Sequence, residues 1–300
     1  MWRTNPLKVI KTSILFIINP ISGGRKKAKI PALIDAYLDK EKFTANYSFT
    51  EYAGHAGELA EEAGNKNFDI IVAVGGDGTI NEIASKVVQL DKVLGIIPFG
   101  SGNGLARFLK IPMDAKKAIQ LINKFNITVI DTAKLNDRFF FNMAGVGFDA
   151  HISSVFAGNK GRGLNGYVEL GLKEIIDYKG QNYQIEIDGK VYKRDAVVLS
   201  IANSSQYGNN VHISPKSSLT DGLLDVCIIK PFPLYKLPQL AYQMIRATTH
   251  KSTMVEIISG KQIKITRKRE DAVHLDGEPF VMGKEINAEI NPASLKIIVK

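Results

Sequence analysis

Residues 75–82 read Gly75-Gly76-Asp77-Gly78-Thr79-Ile80-Asn81-Glu82, and this stretch decides how the rest of the chain is read. Ahead of it, Asp69–Val74 (DIIVAV) is a short β-branched run of the kind that makes a buried strand. Behind it, Ile80, Ile83, Ala84, Val87 and Val88 recur at helical spacing. Strand, glycine turn and helix N-terminus build an anion site. Glycines let the backbone approach a phosphate, and helix N–H groups with no intrahelical partner point at it. A carboxylate at Asp77 repels phosphate unless a cation stands between them, so the turn points to magnesium–nucleotide chemistry. Thr79 and Glu82 are also spaced as a capping box, in which case the pair only starts a helix. The string fits neither the P-loop pattern nor the dinucleotide fingerprint.

Working outward, Ser13–Ile18 (SILFII) reads as a first buried strand, leading into Asn19-Pro20-Ile21-Ser22-Gly23-Gly24 and the basic Arg25 and Lys26. Asn and Ser donate to phosphate or ribose, and the cations neutralise charge. An ordinary turn before a solvated basic helix start is the competing account. Ala28–Leu38 is expected to be helical, with Pro31 in its first turn. Ala45–Thr50 (ANYSFT) is a second strand, ending at Thr50, and a small-residue helix is entered near His55. Val93–Ile97 (VLGII) is a fourth strand and runs into the second glycine-rich loop, Gly100-Ser101-Gly102-Asn103-Gly104. Strand and helix alternate to about residue 125, which implies a parallel sheet with helices on its faces. The four strand-end loops then converge on one edge, where open α/β sheets bind ligands.

NPISGG, GGDGTINE and PFGSGNGLAR, in this order and spacing, resemble the diacylglycerol-kinase catalytic family, which includes bacterial lipid kinases and sphingosine and ceramide kinases. The resemblance runs from Ile14 to the C-terminus. GGDGT alone is shared with NAD kinases and phosphofructokinase-like enzymes; the three motifs together are specific. Many bacterial members carry text like GTANDFAR in the third loop, where this chain has Ser101 and Gly104 in place of the threonine and the aspartate. Sphingosine- and ceramide-kinase members read closer to GSGN. The resemblance implies an ATP-dependent transfer of the γ-phosphoryl group to a lipid hydroxyl, diacylglycerol or sphingosine/ceramide-like. It implies ATP held by Asn19, Pro20, Ser22, Gly23, Thr50, Gly75, Gly76, Asp77, Gly78, Thr79, Asn81, Glu82, Ser101 and Asn103, with Asp77 positioning Mg2+. An NAD kinase-like phosphotransferase and a lipid- or nucleotide-binding module without turnover are the alternatives.

From about residue 127 the texture changes to short β-type runs: Ile127–Lys134, Arg138–Ala144, Tyr183–Ile187, Lys190–Tyr192, Ala196–Ala202, Leu224–Ile229 and five more from Met254 to Val299. Asp188-Gly189 is a strong hairpin signal. Tyr167–Tyr178 and Leu234–Thr248 look helical. The expected organisation is an α/β nucleotide domain over 1–126 and a mainly antiparallel domain over 127–300. In the family the second domain is a β-sandwich, and the C-terminus is a candidate to return to the first domain. Phe141–Ala150 (FNMAGVGFDA) matches a family run of the form N-x-x-G-x-G-x-D, and a structural bulge explains its glycines equally well. Lys160 and Arg162 are candidate phosphate contacts. The resemblance makes Ser218–Asp225 a structural magnesium loop, with Asp221 and the carbonyls of Ser218 and Leu223 as ligands; oxygen-only coordination suits that ion. An Asp-Gly turn accounts for the same residues. In the family the acidic turn at Asp276-Gly277-Glu278 supplies the general base, and either Asp276 or Glu278 fits. Without the resemblance it reads as a surface hairpin.

Three hundred residues at 45% hydrophobic content fit one large or two ordinary domains. No apolar run approaches the roughly 20 residues that cross a bilayer. The N-terminal MWRTNPLKVIKTS lacks the long apolar segment of a secretory signal, and the single cysteine, Cys227, makes no internal disulfide. A cytoplasmic protein is the expectation. The formal charge of +9 favours anionic partners, nucleotides or a negative membrane surface. No nucleic-acid motif accompanies it. A lipid substrate, peripheral membrane contact and a second copy of the chain are the candidate partners.

Overall fold

The computed structural model describes residues 11–24, 29–66, 68–158 and 164–300. Arg25, Lys26, Lys160 and Arg162 lie outside the described residues. Strands β1 (Thr12–Ile18), β2 (Phe43–Phe49), β3 (Ile70–Gly75) and β4 (Val93–Pro98) alternate with helices α1 (Ile30–Tyr37), α2 (His55–Asn65) and α3 (Asp77–Leu90). The strands pair in parallel in the order β2-β1-β3-β4. Strands covered on both faces read as unbroken apolar runs, and β1 and β3 are buried almost end to end. Pro31 occupies the first turn of α1, where the missing N–H has no intrahelical use. Two further helices, α4 (Gly104–Phe108) and α5 (Ala115–Lys124), close this half of the chain.

The second half begins with β5 (Ile127–Leu135), β6 (Arg138–Phe140) and β7 (Met143–Gly147), then α6 (Phe148–Gly158) and α7 (Leu164–Glu174). Next come β8 (Gln181–Ile187), β9 (Lys190–Ala196), β10 (Val198–Ala202), the short pair β11 (Gln206–Gly208) and β12 (Val211–His212), and β13 (Leu224–Ile229). Helix α8 (Leu237–Ile245) precedes β14 (Val255–Gly260), β15 (Gln262–Thr266), β16 (Asp271–Leu275), β17 (Glu278–Met282) and β18 (Glu285–Ile298). One antiparallel sheet runs β14-β13-β10-β7-β16-β17. It faces β5, β8, β15 and β18 across an apolar layer that includes Phe140, Tyr183, Ile201, Val226, Ile265 and Ile286. This is the antiparallel sandwich expected beside the parallel α/β sheet.

The strand β18 spans both halves. Glu285–Glu289 pairs with β15, residues 288–291 and 295–298 pair with β5, and Lys296 and Ile297 pair in parallel with Val93 and Leu94 of β4. The two runs Glu285–Ile290 and Leu295–Val299 expected from the sequence are therefore one strand, broken in register between Asn291 and Leu295. The run Arg138–Ala144 is split at Phe141-Asn142, and Ala196–Ala202 at Val197, each at a change of pairing partner. The Asp188-Gly189 hairpin forms with both residues at positive φ, 47° and 82°. No described helix is long and apolar enough to cross a membrane.

Candidate active site

The glycine loops at the ends of β1, β3 and β4 nest against one another. A Cβ on Gly23 would sit 1.8 Å from the carbonyl oxygen of Phe99. One on Gly100 would sit 2.7 Å from the Cα of Gly76. Only glycine permits these approaches, so loops some 80 residues apart lock by backbone contact. Asn19 finishes the joint: its Oδ1 accepts from Ile21 N (3.1 Å) and Ser22 N (3.2 Å), and its Nδ2 donates to Thr79 Oγ1 (3.0 Å). Ser22 Oγ turns back to the Asn19 carbonyl, and Pro20 is exposed in the same turn. Asn103, at φ +52°, holds Gly100 at both ends, accepting from its N–H and donating to its carbonyl at 2.8 Å each. Thr50 is buried just past β2 and donates its N–H to Ile18. Ser101 is exposed. The side chains of Asn19, Thr79 and Asn103 are thus occupied in building the cradle, and Gly75 lies under the Thr79 side chain.

Asp77 opens α3. Its Oδ2 accepts from Asn103 N (2.7 Å) and its Oδ1 from Gly104 N (2.9 Å), fastening the third loop to the second. Burial pushes its carboxyl up to about 6; the two backbone donors oppose the rise and the charge of Asp276 adds to it. The capping box at Thr79 and Glu82 does not form, because α3 starts earlier, at Asp77. Glu82 instead accepts from Gly54 N (3.0 Å) and Ala56 N (3.2 Å), capping the neighbouring α2.

The second half closes over these loops from one side. Asn81 donates from Nδ2 to Phe139 O (3.1 Å) and to Asp276 Oδ2 (2.7 Å). A Cβ on Gly208 would lie 3.1 Å from the Cα of Gly102, and one on Gly104 2.5 Å from Asn142 Nδ2. Gly104 is therefore pressed against Asn142, and no larger residue fits without displacing it.

Asp276 and Glu278 have different surroundings. Asp276 sits at φ +50° in the turn between β16 and β17. Besides Asn81, its carboxylate accepts from Phe141 N (3.0 Å), Asn142 N (2.9 Å) and Met143 N (2.9 Å). Four donors saturate it and make it a clamp between α3 and the break ahead of β7. No described residue donates a hydrogen bond to the Glu278 carboxylate. Its Oε1 hangs over Gly78, 2.8 Å from where a Cβ would be. Burial, with the nearby charge of Glu82, raises its carboxyl above the usual glutamate value.

Behind this turn lies a buried polar cluster of which the sequence reading had only one member. Asp149, in the FDA of Phe141–Ala150, accepts at Oδ2 from Ser200 Oγ (2.7 Å) and Tyr207 OH (3.1 Å), and meets His274 Nε2 at 3.1 Å. Gly145 is obligatory here, since a Cβ would fall 2.3 Å from Asp149 Oδ2. Ser200, Tyr207 and His274 come from three separated segments, and no local pattern joins them.

The loop at Ser218–Asp225 lies away from the cleft. Asp221 turns Oδ1 to Leu223 N (3.1 Å), while Gly222 N donates to the buried Asp131 (2.8 Å). Burial first, then the charges of Asp225 and Asp131, raise the Asp221 carboxyl. Among the described residues no cluster of three or more His, Cys, Asp or Glu stands ready for a metal. A carboxylate that feels the charges of two others suits a hard cation with oxygen ligands. Cavities of about 670 and 710 Å3 open beside β15–β18 and beside α7–β8, and neither is lined by the glycine loops.

Comparison with known proteins agrees with this layout. The model of the diacylglycerol kinase catalytic domain matches residues 13–135. The model of the YegS C-terminal NAD kinase beta sandwich-like domain matches 142–299. The chain is 31% identical to the protein named "Probable lipid kinase YegS-like" of Yersinia enterocolitica, over 86% of this chain and 88% of that one. It is 28% identical to the "Diacylglycerol kinase" of Bacillus subtilis, over 87% and 88%. A crystal structure of a diacylglycerol kinase from Bacillus anthracis shares the fold, with a TM-score of 0.72, 22% identity and coverage of 96% and 97%.

Proposed function

The chain belongs to the diacylglycerol kinase catalytic-domain family and is an ATP-dependent lipid kinase, and on that premise we propose a division of labour within its cleft. The acceptor is a lipid hydroxyl, that of diacylglycerol or of a sphingoid or ceramide headgroup. ATP lies along residues 19–23, Thr50, 75–82 and 101–103, in the first domain. Backbone N–H groups grip the phosphates there, because the polar side chains are tied to one another. The first intrahelical bond of α3 is donated by Ile80, so the N–H groups of Gly78 and Thr79 ahead of it are available to an anion. Asp77 would hold Mg2+, which would supply positive charge to offset the phosphates, and a carboxyl already burdened by burial and by Asp276 fits that role.

Glu278 takes the proton from the lipid hydroxyl as that hydroxyl attacks the γ-phosphorus, since an alcohol is a poor nucleophile at neutral pH. The observation that carries this assignment is the contrast within one turn. Asp276 has four donors and no lone pair facing the cleft to spare, while Glu278 has none and is poised over the start of α3. The acceptor enters from the second domain, 127–300, along the side of Asn142 and Tyr207. A second Mg2+ at Asp221 and the carbonyls of Ser218 and Leu223 is structural. The protein works in the cytoplasm at a membrane surface.

Incubation with γ-labelled ATP and either a total lipid extract or NAD tests the reading. Label is expected in a lipid product and absent from NAD. Label in NAD, or in neither, would refute it.

A further inference from the structure

Helix α8 is mostly apolar, with Gln239 and Gln243, one turn apart, as its polar residues. It contains no charged residue. Leu240 is buried and Met244 packs against the cluster of Met143, Val198 and Ile229. Two residues of the helix are bare, Tyr242 and Ile245, 63% and 62% exposed, and so are Tyr235 and Leu234 in the turn just before it, 78% and 47% exposed. Large apolar side chains left bare together mark a surface that meets an apolar partner.

The charge around it is one-sided. From Val226 to Val255 the chain contains Lys230, Lys236, Arg246 and Lys251 and no Asp or Glu. Lys230 is paired with Glu256. Lys236, Arg246 and Lys251 form no ion pair with a described residue. The patch also connects to the cleft. Thr249, just beyond α8, donates to the carbonyl of Ile213 (2.9 Å) at one end of the β11–β12 pair. At the other end of that pair Gly208 packs on Gly102 of the glycine loop.

We propose that Leu234, Tyr235, Tyr242 and Ile245, with Lys236, Arg246 and Lys251 beside them in the chain, dock the protein on an anionic bilayer. The inference rests on the lipid-kinase reading, which requires the acceptor to be met at a membrane. Tyrosines suit the headgroup level, aliphatic side chains the acyl boundary, and cations the anionic lipid. A second copy of the chain is the poorer occupant. A two-fold contact would set the same three cations against themselves with no acid between them.

The test is co-sedimentation with vesicles of phosphatidylcholine alone or with phosphatidylglycerol added. Each cation near an anionic surface contributes about fivefold, so the anionic vesicles should bind about a hundredfold more tightly, an advantage that fades with salt. Tyr242→Ser with Ile245→Ser should lose most binding to both vesicle types. Arg246→Gln with Lys251→Gln should lose the anionic preference alone. Equal binding to the two vesicle types, or binding unchanged in both variants, overturns the proposal. So does a wild-type dimer that Tyr242→Ser dissociates without weakening vesicle binding. A short-chain, water-soluble lipid acceptor is assayed alongside. Its phosphorylation should be unchanged in the variants, and its failure in wild type would strike the kinase reading rather than the docking surface.

Discussion

Asp276→Asn and Glu278→Gln are matched substitutions two residues apart, and the geometry makes them behave oppositely. At Asp276 the new amide nitrogen must face donors. Whichever way the amide is turned, it opposes one pair, either Asn81 Nδ2 and Phe141 N or Asn142 N and Met143 N. Hydrogen bonds to a charged group contribute about 1.5–3 kcal/mol each, so losing two costs about 3–6 kcal/mol. That is a large part of the roughly 5–15 kcal/mol that holds a domain folded. At Glu278 no donor is lost. Its carboxyl is raised in the fold by burial and by Glu82. A raised acid leaves stability unaffected below its unfolded value. Stability then falls as pH climbs through the window up to the folded value, and the penalty is constant above it. Glu278→Gln removes that penalty, so the variant should be as stable as wild type near pH 4 and no less stable at pH 7. Its kcat should fall by about 10²–10⁴, the usual worth of a general base. Urea unfolding at two pH values, with labelled phosphate transfer in mixed micelles per folded molecule, separates the effects. A stable, inactive Asp276→Asn beside an active Glu278→Gln would exchange the two roles and refute the argument.

Asp77→Asn keeps one backbone acceptor and loses the charge. Wild-type stability should decline between pH 3.8 and about 6, as this carboxyl ionises at a cost, and the variant's should not. Its turnover should fall at least about a hundredfold, because the third loop loosens and the cation loses its anchor. Gly78→Ala puts a methyl 2.8 Å from Glu278 Oε1. It should lower kcat by about tenfold while leaving the thermal midpoint unchanged or raised, since Ala favours a helix over Gly; an unchanged rate would place the base elsewhere. For the loop at Ser218–Asp225, Mg2+ at about a hundred times its Kd should stabilise wild type by about 2.7 kcal/mol and leave Asp221→Asn unmoved. An equal response from the variant would remove the site.

The α/β half was legible because its signals are local. The run DIIVAV, a glycine turn and helical spacing after it sit within about 20 residues, and the parallel pairing follows from alternation. The cradle was legible as a convergence, but its wiring was not. Asn19, Thr79 and Asn103 were expected to face the nucleotide, and their side chains are bonded within the cradle, Asn19 to Thr79 and Asn103 to Gly100 of its own loop. Spacing tells which residues reach a site, not which partner claims them there. Glu82 shows the same limit: three residues after Thr79 it looks like a local cap, and it caps a helix 26 residues upstream. In the second half the pattern failed wherever a strand changed partner, at Phe141-Asn142 and at Val197. Helix α6 was missed although Phe148, Ile152, Val155 and Phe156 recur at helical spacing, because the glycines just ahead of it drew the reading to a strand end. The Asp149 cluster is non-local throughout, gathering Ser200, Tyr207 and His274 by topology.

The long strand β18 explains why a loop remote from the cleft matters to it. The strand passes from the sandwich to the parallel sheet through the irregularity between Asn291 and Leu295, where Ala293 adopts φ +47°. That joint is held by the buried Asp131, which accepts from Ala293 N (2.7 Å) on one side and from Gly222 N (2.8 Å) on the other. Thr132 adds a hydroxyl contact to Ser294 at 2.8 Å. Asp131 therefore couples the turn at Asp221 to the only strand described as paired in both halves. Two carboxylates near Asp221 strain the turn electrostatically, and a cation there would offset the strain at the joint rather than at the reacting phosphate. The effect of its removal should accordingly be read in the unfolding midpoint, with kcat per folded molecule unchanged.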